Sequence, residues 1–314
     1  MFVVSIIVFL LIRLVPGDIV DAMVNQQVIG GISFDVDREA IRQRLGLDVS
    51  MPVQYGRWLG VLPNAEGKFS GILQGDLGDS LWRGTPIIRE VAIRWPVTLQ
   101  LGLIAFLFAQ IVSLPVGIFS ALRAGTWGDY VARTFAIMAI AVPGFWLGTM
   151  VIVFPSIWWG YMPPLILVKF ADDPIGNLRM FVVPAIVLGM VMSGDTMRMS
   201  RTMMLEVLRQ DYIRTAWAKG LRERTVVKRH ALKNALIPVV TMIGYDLPVM
   251  IGGSVITEQI FNLPGMGRLF INAVQSRDYP VVSALMLIFG FALVLINVIV
   301  DITYALLDPR IHYK

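Results

Sequence analysis

The side chains that most often perform chemistry are sparse in this 314-residue sequence. It has no cysteine, which excludes a thiol nucleophile, a disulfide and a thiolate metal site. The two histidines, His230 and His312, lie far apart and match no metal-ligand spacing. The sequence contains neither a G-x-x-x-x-G-K-[ST] phosphate-binding loop nor an H-E-x-x-H zinc motif. We therefore expect no catalytic residue, no metal site and no cofactor bound by this chain.

What the sequence does contain is a basic stretch between two apolar segments, from Met197 to Pro238. Residues 198–236 carry ten Lys/Arg and three acids, a net charge of +7 in a chain whose total is +5. In a membrane protein such a stretch is a cytoplasmic loop that follows the positive-inside rule or a docking surface. We expect it to be both; an ordinary solvated helical loop is the alternative.

The pattern inside this stretch predicts two short helices joined at a glycine. Apolar residues recur at helical spacing up to Lys219, at Leu205, Leu208, Ile213 and Ala216. Gly220 follows at a position where a helix end favours a residue that tolerates positive φ. Thr225 is the predicted N-cap of the second helix. The two helices together predict a compact elbow below the membrane.

The composition indicates an integral, polytopic membrane protein. Hydrophobic residues make up 56% of the chain, charged residues 16%, and the mean hydropathy is +0.69. Several apolar runs are long enough to cross a hydrocarbon core of roughly 30 Å. The pI of 9.6 is typical of nucleic-acid-binding proteins. Because the excess charge lies in one loop between spans, membrane topology explains it and we expect no nucleic-acid partner.

Six spans are predicted, at residues 1–15, 97–122, 131–154, 181–197, 237–256 and 280–307. The first is short, and we expect its basic N-terminal end to be missing from this sequence. Residues 16–95 are predicted to form an extracytoplasmic loop domain that Pro16-Gly17-Asp18 begins, with a helix around Asp37–Leu45. Residues 257–278 are predicted to be an outer loop with one short amphipathic segment, and residues 96–308 to be the core. Both termini, including the tail 309–314, and residues 198–236 are expected in the cytoplasm.

Two segments of the basic stretch, DYIRTAWAKGL at 211–221 and HALKNALIP at 230–238, resemble the EAA loop of ABC importer permeases. Arg214-Thr215 replaces Glu-Ala, His230 replaces a hydrophobic residue and Lys233 stands at a proline position. These departures are usual in the dipeptide and oligopeptide branch, to which nickel and glutathione permeases also belong. Further similarities run along the chain: Arg13-x-x-Pro16-Gly17-Asp18, Gly75-Asp76-Leu77-Gly78, Arg94-x-Pro96-x-Thr98-Leu99, Glu258-x-x-Phe261-x-x-Pro264-Gly265-x-Gly267-Arg268-Leu269, Arg277-Asp278-Tyr279-Pro280 and Asp308-Pro309-Arg310.

The resemblance implies an all-α ABC type I importer permease in the bacterial inner membrane. Its implied partners are a second homologous permease, two cytoplasmic ATPase subunits that hold ATP and Mg, an extracytoplasmic solute-binding protein and membrane lipid. The solute would be a di- or oligopeptide, with nickel or glutathione as the alternative. The implied ATPase-coupling residues are Asp211, Tyr212, Arg214, Thr215, Ala216, Ala218, Lys219, Gly220, Leu221, His230, Leu232 and Asn234.

A few residues outside the basic stretch are also functional candidates. Asp246 lies inside the fifth span, where a carboxylate is costly to bury, and with Tyr245 it is a candidate for the solute pathway. Its alternative role is a structural acid, facing the lumen or paired with an arginine. The candidates for contact with a binding protein are Glu258, Phe261, Pro264 and Gly265.

Two other functional classes compete with the importer. A self-contained secondary transporter would need a coupling-ion site, for which Asp246 is the main candidate. A membrane-embedded enzyme would need paired intramembrane carboxylates or a zinc motif, and the sequence shows neither. Asp195 and Arg198 are three residues apart and predict an ion pair on a helix surface.

Overall fold

The structure is a computed structural model that describes residues 1–14, 42, 48–64, 67–164 and 166–307. The predicted turn at residues 16–18, the tail 309–314 and, apart from residue 42, the helix predicted at 37–45 lie outside the described residues. In order, the helices are α1 (Phe2–Leu14), α2 (Met51–Leu59), α3 (Ile87–Leu122), α4 (Trp127–Ala141), α5 (Gly144–Trp159), α6 (Pro174–Leu208), α7 (Asp211–Ala218), α8 (Glu223–Ile260), α9 (Met266–Gln275) and α10 (Tyr279–Leu307).

Four described helices are long and apolar enough to cross a membrane: α3, α6, α8 and α10. The bent pair of α4 and α5 makes a fifth if it is counted as one span, and α1 is a shorter apolar helix. The predicted helical membrane fold is confirmed, whereas the count of six spans stays a prediction. The division into a loop domain at 16–95 and a core at 96–308 also stays a prediction.

The third span predicted at 131–154 is not one continuous helix in the structure. Helix α4 ends at Ala141 and α5 begins at Gly144, and the two axes differ by 99°. Pro143 causes the break, because a proline disfavours helical geometry at the residue before it. Val142 accordingly has an extended backbone, with φ −81° and ψ 119°.

Helices α3, α6 and α8 are longer than the spans that hydropathy predicts. Helix α3 begins ten residues before the predicted start at 97 and runs through Pro96. Helix α6 begins at Pro174, where the side chain of Asp173 caps it by accepting a hydrogen bond of 2.9 Å from the Gly176 N–H. Hydropathy marks only the apolar part of a helix: α3 continues into polar residues before its predicted start, and α6 does so at both ends.

The chain forms two compact units, which are described separately. One consists of Met1–Arg94 with Leu269–Ala292, and the other of Trp95–Arg268 with Leu293–Lys314. In the first unit, the ring of Phe9 packs edge-on against that of Tyr55, with 5.2 Å between centroids. In the second unit, α6 is the most enclosed span: half of its most apolar window is buried, against about a third in α3.

Candidate functional site

The basic stretch folds into an elbow, Asp211–Ala231, made of α7 and the first turns of α8. Helix α6 ends at Leu208, and Gln210 then adopts an extended backbone with φ −70° and ψ 148°. The helical spacing from Leu205 to Ala216 therefore belongs to two successive helices and not to one. The break at Gln210 lets α7 leave the axis of α6.

Gly220 ends α7 in a Schellman arrangement. Its φ is +73°, as predicted for this position. Its N–H donates to the Trp217 carbonyl at 2.9 Å, and the Leu221 N–H donates to the Ala216 carbonyl at 3.3 Å. These bonds satisfy two carbonyls that the helix end would otherwise leave unpaired. The glycine thus fixes the angle of the elbow.

The second helix of the elbow begins earlier than predicted. It starts at Glu223, and Arg222 is its N-cap residue. Thr225, the predicted cap, lies inside the helix with φ −73° and ψ −45°, so that prediction is wrong. Residues Val226–Ala231 form a π-helical turn, a feature that often occurs at functional sites.

A small hydrophobic core fastens the elbow to the ends of three spans. It contains Ala121 of α3, Met204 of α6 and Ala235 of α8, and from the elbow itself Ile213, Ala216, Val226, Val227 and Ala231. Ile213 and Val226 are completely buried. Ala216 also packs in this core and is buried, so it supports the position of the elbow, and its part in coupling stays a prediction.

The outer face of the elbow combines aromatic and basic side chains. Tyr212 and Trp217 are each 43% exposed, and Leu221 is 37% exposed. Trp217 is not among the coupling residues predicted from the sequence. The signal that indicates it is an aromatic residue directly after Ala216, which is buried. The Asn234 side chain donates to the Tyr212 hydroxyl at 2.8 Å and so ties α7 to α8. Exposed aromatic and arginine side chains on a rigid base are typical of a protein-docking surface.

The remaining coupling candidates divide by exposure. His230 and Leu232 are half-buried, and Arg214 makes only a long, exposed contact of 3.5 Å with Asp211. Such a contact contributes little to stability and leaves both charges available. The exposed candidates are Asp211, Tyr212, Arg214, Thr215, Ala218, Lys219, Gly220, Leu221 and Asn234.

Asp246 lies in a polar cluster formed by α3, α6 and α8. Its Oδ2 accepts hydrogen bonds from Gln110 Nε2 at 3.2 Å and from Thr196 Oγ1 at 3.1 Å. Among the described residues no arginine pairs with it, so pairing with an arginine does not explain its place in the span. The neighbouring Tyr245 is 65% exposed, and the described side chains show no hydrogen bond between Tyr245 and Asp246.

The segment after α8 is a turn that hydrogen bonds to a buried carboxylate stabilise. Glu258 is completely buried; it accepts hydrogen bonds from Thr98 Oγ1 at 2.6 Å and from the Arg268 N–H at 3.0 Å. Phe261 and Gly265 are also buried, and only Pro264 is partly exposed. Three of the four residues predicted to contact a binding protein are therefore buried within this chain. Their contact with a binding protein stays a prediction.

The ion pair predicted between Arg198 and Asp195 is confirmed, with 3.1 Å between Nη2 and Oδ1. A second ion pair was missed. Asp129 in the first turn of α4 accepts from Arg201 of α6 through both oxygens, at 2.8 and 2.9 Å, and also from Ser120 of α3 at 2.6 Å. It links three helices, and no fixed sequence spacing indicates such a pair.

Comparison with known proteins agrees with this geometry. The family described as the binding-protein-dependent transport system inner membrane component matches residues 113–313, and its N-terminal counterpart matches residues 1–102. A Brucella suis biovar 1 protein named as a peptide transport system permease is 41% identical over 313 residues, covering 100% of this chain and 95% of that protein. The glutathione transport system permease protein GsiC of Pectobacterium atrosepticum is 36% identical with the same coverage.

Two solved structures share the fold. The inward-facing MetNI methionine ABC transporter has a TM-score of 0.57 at 16% identity, covering 70% of this chain and 97% of that chain. An amino acid ABC transporter crystallised with histidines has a TM-score of 0.51 at 15% identity, covering 70% of this chain and 92% of that chain. The predicted ABC importer permease fold is confirmed. The chain belongs to the family of binding-protein-dependent transport system inner membrane components.

Proposed function

We propose that this chain is a permease subunit of an ATP-driven importer for peptides or peptide-like solutes such as glutathione. The similarity over the whole chain to permeases named for those solutes carries the proposal. Nickel is the alternative solute. The sequence has no phosphate-binding loop, so the energy would come from ATP and Mg bound by partner subunits.

The elbow would couple those subunits to the spans. Tyr212, Trp217 and Leu221 offer an apolar contact area, and Lys219 and Arg214 add charge at its rim. Closure of two ATPase subunits would displace the elbow, and its buried core would pass the displacement to α3, α6 and α8. An importer of this kind would also require a second homologous permease and an extracytoplasmic binding protein.

In this proposal the elbow lies in the cytoplasm, as do both termini. The net charge of +7 on residues 198–236 supports this orientation through the positive-inside rule. The sequence has no cysteine, so single cysteines can be introduced without background labelling at Lys219 in the elbow and at Trp158, which follows the predicted third span at its outer end. A membrane-impermeant maleimide should label Lys219→Cys only from the cytoplasmic side and Trp158→Cys only from outside.

Asp246 would contribute to the solute pathway. It is half-buried and retains a carboxylate oxygen, Oδ1, with no hydrogen bond to any described residue. A peptide's amino group is a suitable partner for such an oxygen, because hydrogen bonds between charged groups are stronger than neutral ones. The same carboxylate would serve a self-contained transporter, so dependence on a separate ATPase must distinguish the two functions.

The deciding experiment is gentle purification of the tagged chain from its own membrane, with co-eluting proteins identified by mass spectrometry. We expect an ABC ATPase and a second permease, and a complex whose ATP hydrolysis is stimulated by its binding protein with peptide. A chain that elutes alone with an intact elbow contradicts the proposal. Within the complex, Lys219→Glu should lower the transport per ATP hydrolysed, and Arg123→Glu, an exposed arginine outside the elbow, should not.

A further inference from the structure

A groove of about 450 Å³ opens between α3, α4 and α6, within the second unit. It lies at the α4 end that contains the buried Asp129–Arg201 pair, so its walls are fixed relative to one another. We call it the interfacial groove. It is lined by Gly117, Ser120, Ala132, Arg133, Ala136, Ile137, Ile140, Ala141, Met197, Arg198, Arg201 and Thr202.

The two ends of the interfacial groove differ in chemistry. Towards the middle of α4 it is lined by small and branched apolar side chains, of which Ile137 and Ile140 are exposed. Towards the start of α4 it is lined by arginines. A site of this kind, basic at one end and apolar along the other, matches a molecule with an anionic head and a hydrocarbon chain.

The positive charge at the basic end is only partly compensated. Arg201 is neutralised by its two-oxygen contact with Asp129. Arg198 has an exposed partner in Asp195, but a guanidinium has five donors and that contact uses one of its nitrogens. Arg133 lies 5.9 Å from the ring of Tyr130, and within the described part of the chain no carboxylate pairs with it. Arg133 and Arg198 thus both line the groove and retain donors for an anion.

Aromatic residues mark the depth of this end in the membrane. Trp127 and Tyr130 lie in the first turns of α4, next to Arg133, and both are exposed. Tryptophan and tyrosine are enriched where headgroups meet hydrocarbon. The basic end of the groove therefore lies where a lipid phosphate is found, and the apolar end continues into the acyl-chain region.

From these observations we infer that the interfacial groove binds one anionic phospholipid. Its phosphate contacts Arg133 and Arg198, and one acyl chain lies along Ala136, Ile137 and Ile140. Basic pockets between spanning helices at the cytoplasmic side are known to bind anionic headgroups. The inference is independent of the transported solute and of the ATPase partners.

The test is titration of the purified full chain, with whatever subunits co-purify, in a mild detergent with phosphatidylglycerol, followed by native mass spectrometry. We expect one tightly retained lipid, and phosphatidylcholine with the same acyl chains should bind more weakly. The double variant R133Q/R198Q should weaken phosphatidylglycerol binding about 25-fold, at roughly fivefold per arginine. Ile137→Trp keeps both arginines but fills the apolar end, and it should weaken binding as well.

Arg123→Gln is the matched control, because Arg123 is an exposed arginine in the adjacent loop but does not line the groove. It should leave the affinity within about twofold. Equal affinity in R133Q/R198Q and wild type overturns the inference, and so does an equal loss in R123Q. Competition by millimolar glycerol phosphate would indicate a free-anion site and overturns it too. A photocrosslinker at Ile137 should capture lipid; capture of another subunit would give the groove a different occupant.

Discussion

Asp129→Asn is expected to destabilise the chain strongly. The Asp129 side chain is 1% exposed and that of Arg201 is 23% exposed. Four donors face the two carboxylate oxygens: Arg201 Nε at 2.8 Å and Nη2 at 2.9 Å, Ser120 Oγ at 2.6 Å and the Gly125 N–H at 3.0 Å. In asparagine one of those oxygens becomes an NH₂ group, which faces donors and leaves the arginine charge unpaired.

Breaking a buried ion pair by removing one partner costs roughly 3–5 kcal/mol. Asp195→Asn on α6, the helix of Arg201, is the control, because the side chains of the Asp195–Arg198 pair are 53% and 71% exposed and such surface pairs contribute only about 0–1 kcal/mol. The measurement is the free energy of unfolding of the purified chain in detergent. The double variant D129N/R201Q should cost less than the sum of its two single variants, since neither charge is then left alone.

If Asp129→Asn lowers the free energy of unfolding no more than Asp195→Asn does, this reasoning is refuted. Strict additivity in the double variant would also refute it, because it would mean that the two side chains do not interact. Either result would also weaken the claim that the pair holds the walls of the interfacial groove.

Three further predictions concern the elbow, the turn after α8 and the pathway. Gly220→Val should lower the transport per ATP hydrolysed more than Gly220→Asn. A Cβ at this position meets no atom within 4 Å, so the two variants differ only in backbone strain. The left-handed φ costs about 1–2 kcal/mol for most side chains, and asparagine tolerates it better than valine. Gly265→Ala should lower the free energy of unfolding by at least about 1–3 kcal/mol, because the added Cβ would lie 2.2–2.4 Å from the Glu258 carboxyl group. Gly252→Ala is the control: its Cβ would meet no atom within 4 Å, and the variant should be neutral in the same unfolding assay. Asp246→Asn preserves an acceptor for Gln110 and should leave the free energy of unfolding unchanged within about 1 kcal/mol. The KM for peptide should rise about 10-fold or more, because the hydrogen bond from the peptide's amino group to a charged carboxylate is lost. An unchanged KM would assign Asp246 a structural role.

Hydropathy predicted the spans because the apolar content of a segment depends on composition alone. It did not predict the ends of the helices, since polar residues such as those before Trp95 continue α3 without changing its helical geometry. The bend between α4 and α5 has a local cause in Pro143, and that signal was present in the sequence. The long apolar run around it concealed the break.

The site was predictable where its cause was local and unpredictable where it depended on distant neighbours. Gly220 adopts the conformation expected of a glycine after a short helix. The sequence makes Glu258 a candidate for contact with a binding protein, because nothing in its own segment indicates that Thr98, 160 positions earlier, binds its buried carboxylate. The same applies to Asp129 and Arg201, which are 72 positions apart.

The elbow and the polar cluster at Asp246 are joined by two continuous helices. Along α6, Met204 in the elbow core lies eight residues from Thr196, a rise of about 12 Å. Along α8, Ala235 lies eleven residues from Asp246, a rise of about 17 Å. A displacement of the elbow therefore either moves both helices at the level of Asp246 or is absorbed before it reaches them. Three places can absorb it: the extended backbone at Gln210, the π-helical turn at Val226–Ala231, and Pro238, which lies inside α8 between Ala235 and Asp246. Stiffening the first or the second should change coupling without touching the exposed face of α7.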